Sequence, residues 1–172
     1  MTISKATLND VPGLALLVNT AYRGKESLKG WATEAHLLDG LRIDEETLTG
    51  YFGDENTTIL KYENDAGQLE ACVYLQIRGD KVYLGMLSVL PHLQDKGIGR
   101  QLLEAAEAFA KENSCQAIFM TVISSRRELI NWYERRGYKR TGEVLPFHDD
   151  EKFGVPREPI ELLVLEKVID QT

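Results

Sequence analysis

The chain has 172 residues, 43% of them hydrophobic and 27% charged, which is enough to bury the core of a single domain spanning residues 1–172. A net charge of −7, from 27 acidic and 20 basic side chains, argues against general nucleic-acid binding, which needs a basic surface to displace counterions. No apolar run approaches the ~18 residues of a membrane span, and Met1-Thr-Ile-Ser-Lys does not begin a signal peptide.

The first elements alternate between weak and strong signals. Residues 2–6 alternate as a short strand, and Asn9 or Asp10 caps a helix with Pro12 in its first turn. That helix runs through Leu14, Leu16, Leu17, Val18, Ala21 and Tyr22. Residues 23–30 read as a charged, glycine-containing loop, and helices are expected at Thr33–Leu41 and Asp44–Phe52. Strands follow at Thr57–Glu63, Leu69–Arg78 and Lys81–Leu90, separated by Asn64-Asp-Ala-Gly67 and by Gly79-Asp80. That spacing is an antiparallel meander, and it reduces the Arg78-Gly79-Asp80 triplet to a hairpin turn.

A glycine loop then leads at once into an amphipathic helix. Its apolar stripe is Ile98, Leu102, Leu103, Ala106, Phe109 and Ala110, with Glu104, Glu107 and Lys111 opposite. Ala117–Val122 is a buried strand, and Ser124 or Ser125 caps a helix that runs to Arg135 and ends at Gly137. Tyr138–Val144 and Ile160–Val168 close the chain as strands joined by a polar loop. The order predicts one mixed α/β domain. Cys72 and Cys115 fall in apolar stretches and are too few for a zinc framework, so they read as buried thiols of a cytoplasmic protein, with no metal site expected.

The segment from Leu87 to Leu103 carries the chemistry. Strand, glycine loop and helix in succession turn backbone N–H groups toward one anion, because the first amides of a helix lack intrahelical partners. Glycine at 97 and 99 removes side chains that would hold a phosphate off the backbone. The spacing is neither a Walker loop nor a dinucleotide fingerprint, since Leu stands at 102.

Gln94-x-x-Gly97-x-Gly99 resembles the pyrophosphate-binding signature of the GNAT acetyltransferase superfamily. Asn131-Trp-Tyr-Glu-Arg-Arg-Gly-Tyr138 resembles that family's second signature, so the resemblance covers nearly the whole chain. It implies a mostly antiparallel twisted sheet of six to seven strands flanked by helices, with acetyl-CoA held in a V-shaped gap between two central strands. It also implies roles. The backbone of Leu87, Ser88 and Val89 would pair with pantetheine, and an amide there would donate to the thioester oxygen. Gln94, Asp95, Lys96, Gly97, Ile98, Gly99 and Arg100 would wrap the pyrophosphate, Asn131 would bond pantetheine, and Tyr133 would protonate the departing thiolate. Trp132 and Tyr138 read as core.

The expected activity is N-acetyl transfer to a primary amine by direct attack in a ternary complex. The strand before the loop carries no acid where many relatives place a base. Glu34 is the leading candidate for base or ammonium ligand, ahead of Glu161 and then His148, Asp149 and Asp150, while His36 and His92 read as ordinary histidines. Trp31 and Glu34 would form one wall of the acceptor pocket and Arg157 the other, where it would hold a carboxylate. The acceptor, a small molecule or a peptide amine, stays unnamed, and a monomer and a homodimer are equally compatible. Two rivals stay open: an inactive acyl-CoA-binding module and a nucleotide-binding protein.

Overall fold

The computed structural model describes residues 1–22, 38–39, 42–146, 155–156 and 160–170. The expectations for Trp31, Glu34, His36, His148, Asp149, Asp150 and Arg157 lie outside the described residues. So does the part of the expected Thr33–Leu41 helix that precedes Leu38.

The elements in chain order are β1 (Thr2–Lys5), α1 (Val11–Tyr22), β2 (Leu38–Asp39), α2 (Glu45–Tyr51), β3 (Thr57–Glu63), β4 (Leu69–Arg78) and β5 (Lys81–Val89). They continue as α3 (Ile98–Glu112), β6 (Ala117–Ile123), α4 (Arg127–Glu134), β7 (Lys139–Pro146), β8 (Val155–Pro156) and β9 (Glu161–Val168). Seven strands form one sheet in the order β1-β3-β4-β5-β6-β9-β7, and β2 pairs with β8 apart from it. This is a single α/β domain, and the sheet is open.

Local chemistry explains most boundaries and corrects some expectations. Thr7 and Asp10 form a reciprocal capping box over a 3₁₀ turn, with its cap two or three residues before the one expected. Asp44 caps α2 by accepting from the Thr47 amide at 2.8 Å. Leu38–Asp39 is paired strand, not helix, because Val155–Pro156 crosses to it from the far polar loop. The cap of α4 is Arg126, two or one residues past the serines the sequence suggested, and its side chain is buried. On α1, Leu14, Leu17, Val18 and Ala21 are buried as the period requires, but Leu16 is 71% exposed and off the stripe.

The sheet has a core on each face. One packs α3 and α4 against Val73, Leu75, Val82, Leu84, Ile118 and Met120. The other packs α1 and α2 against Ile59, Cys72, Tyr74 and Met86. Along β5 the inward positions change parity. Val82 and Leu84 face the α3 core, Met86 faces the α1 core, and Leu87 and Val89 lie against the α3 core again. A bulge causes the change. Cys72 opposes Ser88 and Tyr74 opposes Gly85, so β5 spends two residues, Met86 and Leu87, where β4 spends one. Met86 takes φ +54°, a left-handed conformation unusual for a side chain that is not glycine.

The sheet opens along the other edge of the same strand. β5 and β6 are parallel but pair only through Lys81–Ala117, Val82–Ile118 and Tyr83–Phe119. Beyond Tyr83 the two strands part, and the gap between them is the V-shaped split.

Candidate active site at the strand split

A cavity of about 460 Å³ occupies the split. Its lining includes the apolar side chains Leu87, Val89, Leu93 and Leu129 and the buried phenols Tyr22 and Tyr133. It also includes Gln94 through Gly97, Gly99 and Arg100 of the glycine loop, with Trp132, Arg135 and Arg136 from the α4 side. The lining holds four cations, Lys96, Arg100, Arg135 and Arg136, against one carboxylate, Asp95, in a protein whose net charge is −7. Such a concentration of positive charge beside a helix N-terminus favours an anion.

The glycines of the loop act differently from one another. Gly97 sits at φ +82° immediately before α3, and a Cβ there would meet only open space and the Arg100 guanidinium. Its glycine is a backbone requirement, and it lets the chain turn into the helix with the first amides pointing outward. Gly99 has ordinary dihedrals, but a Cβ there would lie 3.2 Å from two ring atoms of Trp132. Its glycine makes room for an indole. Phosphate approach is therefore not the only reason for glycine at 99. The Gln94 side chain donates to the Val89 carbonyl at 3.0 Å and ties the loop back to the end of β5. Asp95 adopts φ +70°, which its short polar side chain tolerates.

Trp132 is half-buried and packs against the α3 core, and it lines the cavity as well; Tyr138, 1% exposed, is core as expected. The Arg136 guanidinium lies 3.9 Å from the centroid of the Trp132 ring and donates to the Trp132 carbonyl at 2.8 Å. Burial and the nearby charges of Arg135 and Arg100 hold the Arg136 pKa below its ordinary value. Arg136 Nε is buried with no hydrogen-bond partner, so the cluster presents donors without enough acceptors.

Tyr133 is 5% exposed. Burial, and then the neighbouring phenols of Tyr22 and Tyr138, push its pKa well above the ordinary tyrosine value, with Arg126 opposing. The phenol is therefore a neutral hydroxyl, a hydrogen-bond donor, across the working pH range. Its ring packs edge-on to Trp132 at 5.1 Å and to Tyr138 at 5.8 Å, which fixes its direction.

Some sequence-derived site residues stand elsewhere. Ser88 is 1% exposed, and its hydroxyl donates to the Met86 carbonyl at 3.0 Å. Ile98 is buried in the α3 core, so only its backbone is available to a ligand. Asn131 is exposed on α4 and lines an adjoining hollow of about 340 Å³ with Asp95, Glu128 and Arg135. Glu161 is exposed at the start of β9, and His92 is exposed in the turn after β5. The cysteines are buried as expected, and no group of metal-binding side chains occurs among the described residues.

The sequence reading missed Tyr22, Leu93, Leu129, Arg135 and Arg136. The two arginines were in view within Asn131–Tyr138, and the four-residue step from Trp132 to Arg136 on one helix face was the signal for their stacking. Tyr22 had no signal. Its hydroxyl donates to the Leu87 carbonyl across 65 positions of sequence.

Comparison with known proteins agrees with this geometry. The model of the acetyltransferase (GNAT) family matches residues 25–138. An uncharacterized N-acetyltransferase of Bacillus subtilis (strain 168), YhfO, is 29% identical over 149 residues, covering 84% of this chain and 94% of the relative. Among solved structures, an N-acetyltransferase from Staphylococcus aureus Mu50 superposes with TM-score 0.74 at 16% identity, covering 98% of this chain and 97% of that one. The ribosomal-protein-alanine N-acetyltransferase from Brucella melitensis gives 0.72 at 21% identity, with 98% and 99% covered. At these identities the structural likeness speaks for the fold alone.

Proposed function

The chain belongs to the GNAT acetyltransferase family, and on that premise we propose that the cavity at the strand split binds acetyl-CoA and that the enzyme transfers its acetyl group to a primary amine. Members of the family use acetyl-CoA as cosubstrate, and its thioester supplies an activated acyl carbon with a good leaving group. The observation that carries the reading is the make-up of the cavity lining: four cations with the glycine loop that opens α3, four apolar side chains, and a buried neutral phenol.

Each part fits a piece of that molecule. Gly97 at φ +82°, the amides that open α3 and the cations Lys96, Arg100, Arg135 and Arg136 suit its phosphates. Leu87, Val89, Leu93 and Leu129 suit the pantetheine arm, and the unpaired edge of β5 suits its amides. In this reading the Leu87 amide donates to the thioester oxygen as negative charge grows there. Tyr133 Oη gives its proton to the sulfur as the carbon–sulfur bond breaks, and the amine proton leaves to a base or to solvent. Burial keeps the Tyr133 phenol protonated, so it can hydrogen-bond the sulfur as the thiolate forms.

The inactive-module and nucleotide-binding rivals make different predictions. The test is thiol release from acetyl-CoA with a panel of amines: polyamines, amino acids and peptides bearing N-terminal alanine, the last motivated by the Brucella relative. Calorimetry with CoA and with ATP runs alongside. Thiol release with at least one amine and tighter binding of CoA than ATP are expected. No release with any amine, or a preference for ATP, overturns the reading.

A further inference from the structure

The bulge in β5 is held by two side-chain hydroxyls, and this carries a consequence for catalysis that rests on the acetyl-transfer reading. Met86 and Leu87 both oppose the single residue Val73, so neither has a regular place in the β4 ladder. The Met86 carbonyl is drawn toward β4 and α1 by the Ser88 hydroxyl at 3.0 Å, with the Cys72 thiol at 3.9 Å. Every peptide here is trans, so the N–H on the other side of the Met86–Leu87 peptide points the opposite way. That is the Leu87 amide, and Leu87 lines the cavity. The next carbonyl, Leu87's, accepts the Tyr22 hydroxyl from the last turn of α1. Thus each of the two carbonyls that flank the Leu87 residue is fixed by a buried or nearly buried hydroxyl.

We propose that Tyr22 and Ser88 are positioning residues that hold the Met86–Leu87 bulge so that the Leu87 amide faces the acyl group. Met86 at φ +54° is a conformation that an L side chain abandons unless its surroundings hold it. Without the hydroxyls the strand has two ways to relax: Met86 returns to negative φ, or the Met86–Leu87 peptide itself rotates once its carbonyl, and the Leu87 carbonyl next along the chain, are no longer held. Either swings the Leu87 N–H out of line. Donors of this kind act only when aimed at the developing charge in advance, so a small rotation is costly. Tyr22 also lines the cavity, and the Arg42 guanidinium stacks 5.5 Å from its ring centroid, so its ring stays in place when only the hydroxyl is removed.

Tyr22→Phe and Ser88→Ala are the test variants. Two measurements are made on each: steady-state kinetics with acetyl-CoA and the best amine of the panel, and the ¹⁵N chemical shift of the Leu87 amide with CoA and with acetyl-CoA. Both variants are expected to lower kcat at least tenfold while KM for acetyl-CoA and Kd for CoA change less than twofold. The Leu87 amide of the unaltered protein should respond to acetyl-CoA beyond its response to CoA, and that difference should shrink in both variants. A kcat within twofold of the unaltered protein in Tyr22→Phe, or a loss confined to KM, overturns the proposal. If the unaltered protein releases no thiol with any amine, the acetyl-transfer reading fails, and the amide shifts still decide whether the two hydroxyls aim Leu87. Melting temperatures exclude general unfolding as the cause.

Discussion

Gly99→Ala tests whether the glycine loop is shaped by packing as well as by its ligand. The added Cβ would stand 3.2 Å from two atoms of the Trp132 ring, closer than ordinary van der Waals contact at 3.4 Å and beyond. The ring cannot simply back away, because Arg136 stacks 3.9 Å from its centroid and holds the Trp132 carbonyl at 2.8 Å. Overpacking of this kind costs about 1–3 kcal/mol. Replacing glycine by alanine in a helix returns up to about 1 kcal/mol. The net destabilisation is therefore about 0–3 kcal/mol, too wide a range to rely on alone. A double-mutant cycle with Trp132→Leu isolates the contact, since the smaller side chain removes the two ring atoms. Urea denaturation of the four proteins should give a coupling of about 1–2 kcal/mol, with the double variant more stable than the sum of the single effects. CoA affinity, measured by calorimetry, should fall at least tenfold in Gly99→Ala as the ring tilts into the cavity. A coupling below about 0.5 kcal/mol would mean that the indole does not limit position 99, and the packing explanation would be wrong. Gly97→Ala should behave differently: its cost of about 1–2 kcal/mol comes from the left-handed backbone and should not depend on Trp132.

Other outcomes follow from the same geometry. Tyr133→Phe should reduce kcat by about 10²-fold or more with CoA affinity within threefold, as steady-state kinetics and calorimetry would show. Because burial pushes the Tyr133 phenol well above its ordinary pKa, the kcat–pH profile should lack a Tyr133-dependent fall near pH 10; such a fall, absent in Tyr133→Phe, would contradict the assignment. Arg136→Gln should weaken CoA about tenfold and flatten the salt dependence of binding, read from titrations at several ionic strengths. Burial pushes the Cys72 thiol up to about 12 from an ordinary 9.0, so the folded protein keeps a proton that the unfolded chain releases. Stability should be unaffected by this group below pH 9 and fall by up to about 1.4 kcal/mol per pH unit above it. Cys72→Ala should reduce that slope in denaturation curves between pH 9 and 10, before the buried tyrosines add to it with the same sign.

The local grammar of the chain was open to reading because it rests on neighbours in sequence. Thr57–Glu63 and Leu69–Arg78 stand where the β-formers and turn residues put them, and the α3 stripe from Ile98 to Ala110 is buried position for position. The glycine loop and the Asn131–Tyr138 segment were recognisable for the same reason, since each compresses its chemistry into eight residues or fewer. What a single position does when two such segments meet was not open to reading. Gly99 was legible as glycine, but one reason for it is an indole 33 positions away that only the packing of α3 on α4 brings to it. The helix expected through Leu41 gave way at Leu38–Asp39 because a strand from residues 155–156 crosses there.

The sequence by itself determined most of the elements, the glycine loop and the family resemblance, because short-range spacing encodes all three. Only the tertiary structure decided how the site is aimed. The split opens where β5 stops pairing with β6 after Tyr83, and the bulge at Met86 turns the strand's inward face over. Tyr22 reaches that bulge from 65 positions upstream, and Arg136 reaches the same cavity from the far end of α4. Such contacts depend on sheet order and helix packing, which no window of sequence contains. The glycine loop is written in the chain, and the directions of the Leu87 amide and the Tyr133 phenol are written in the fold.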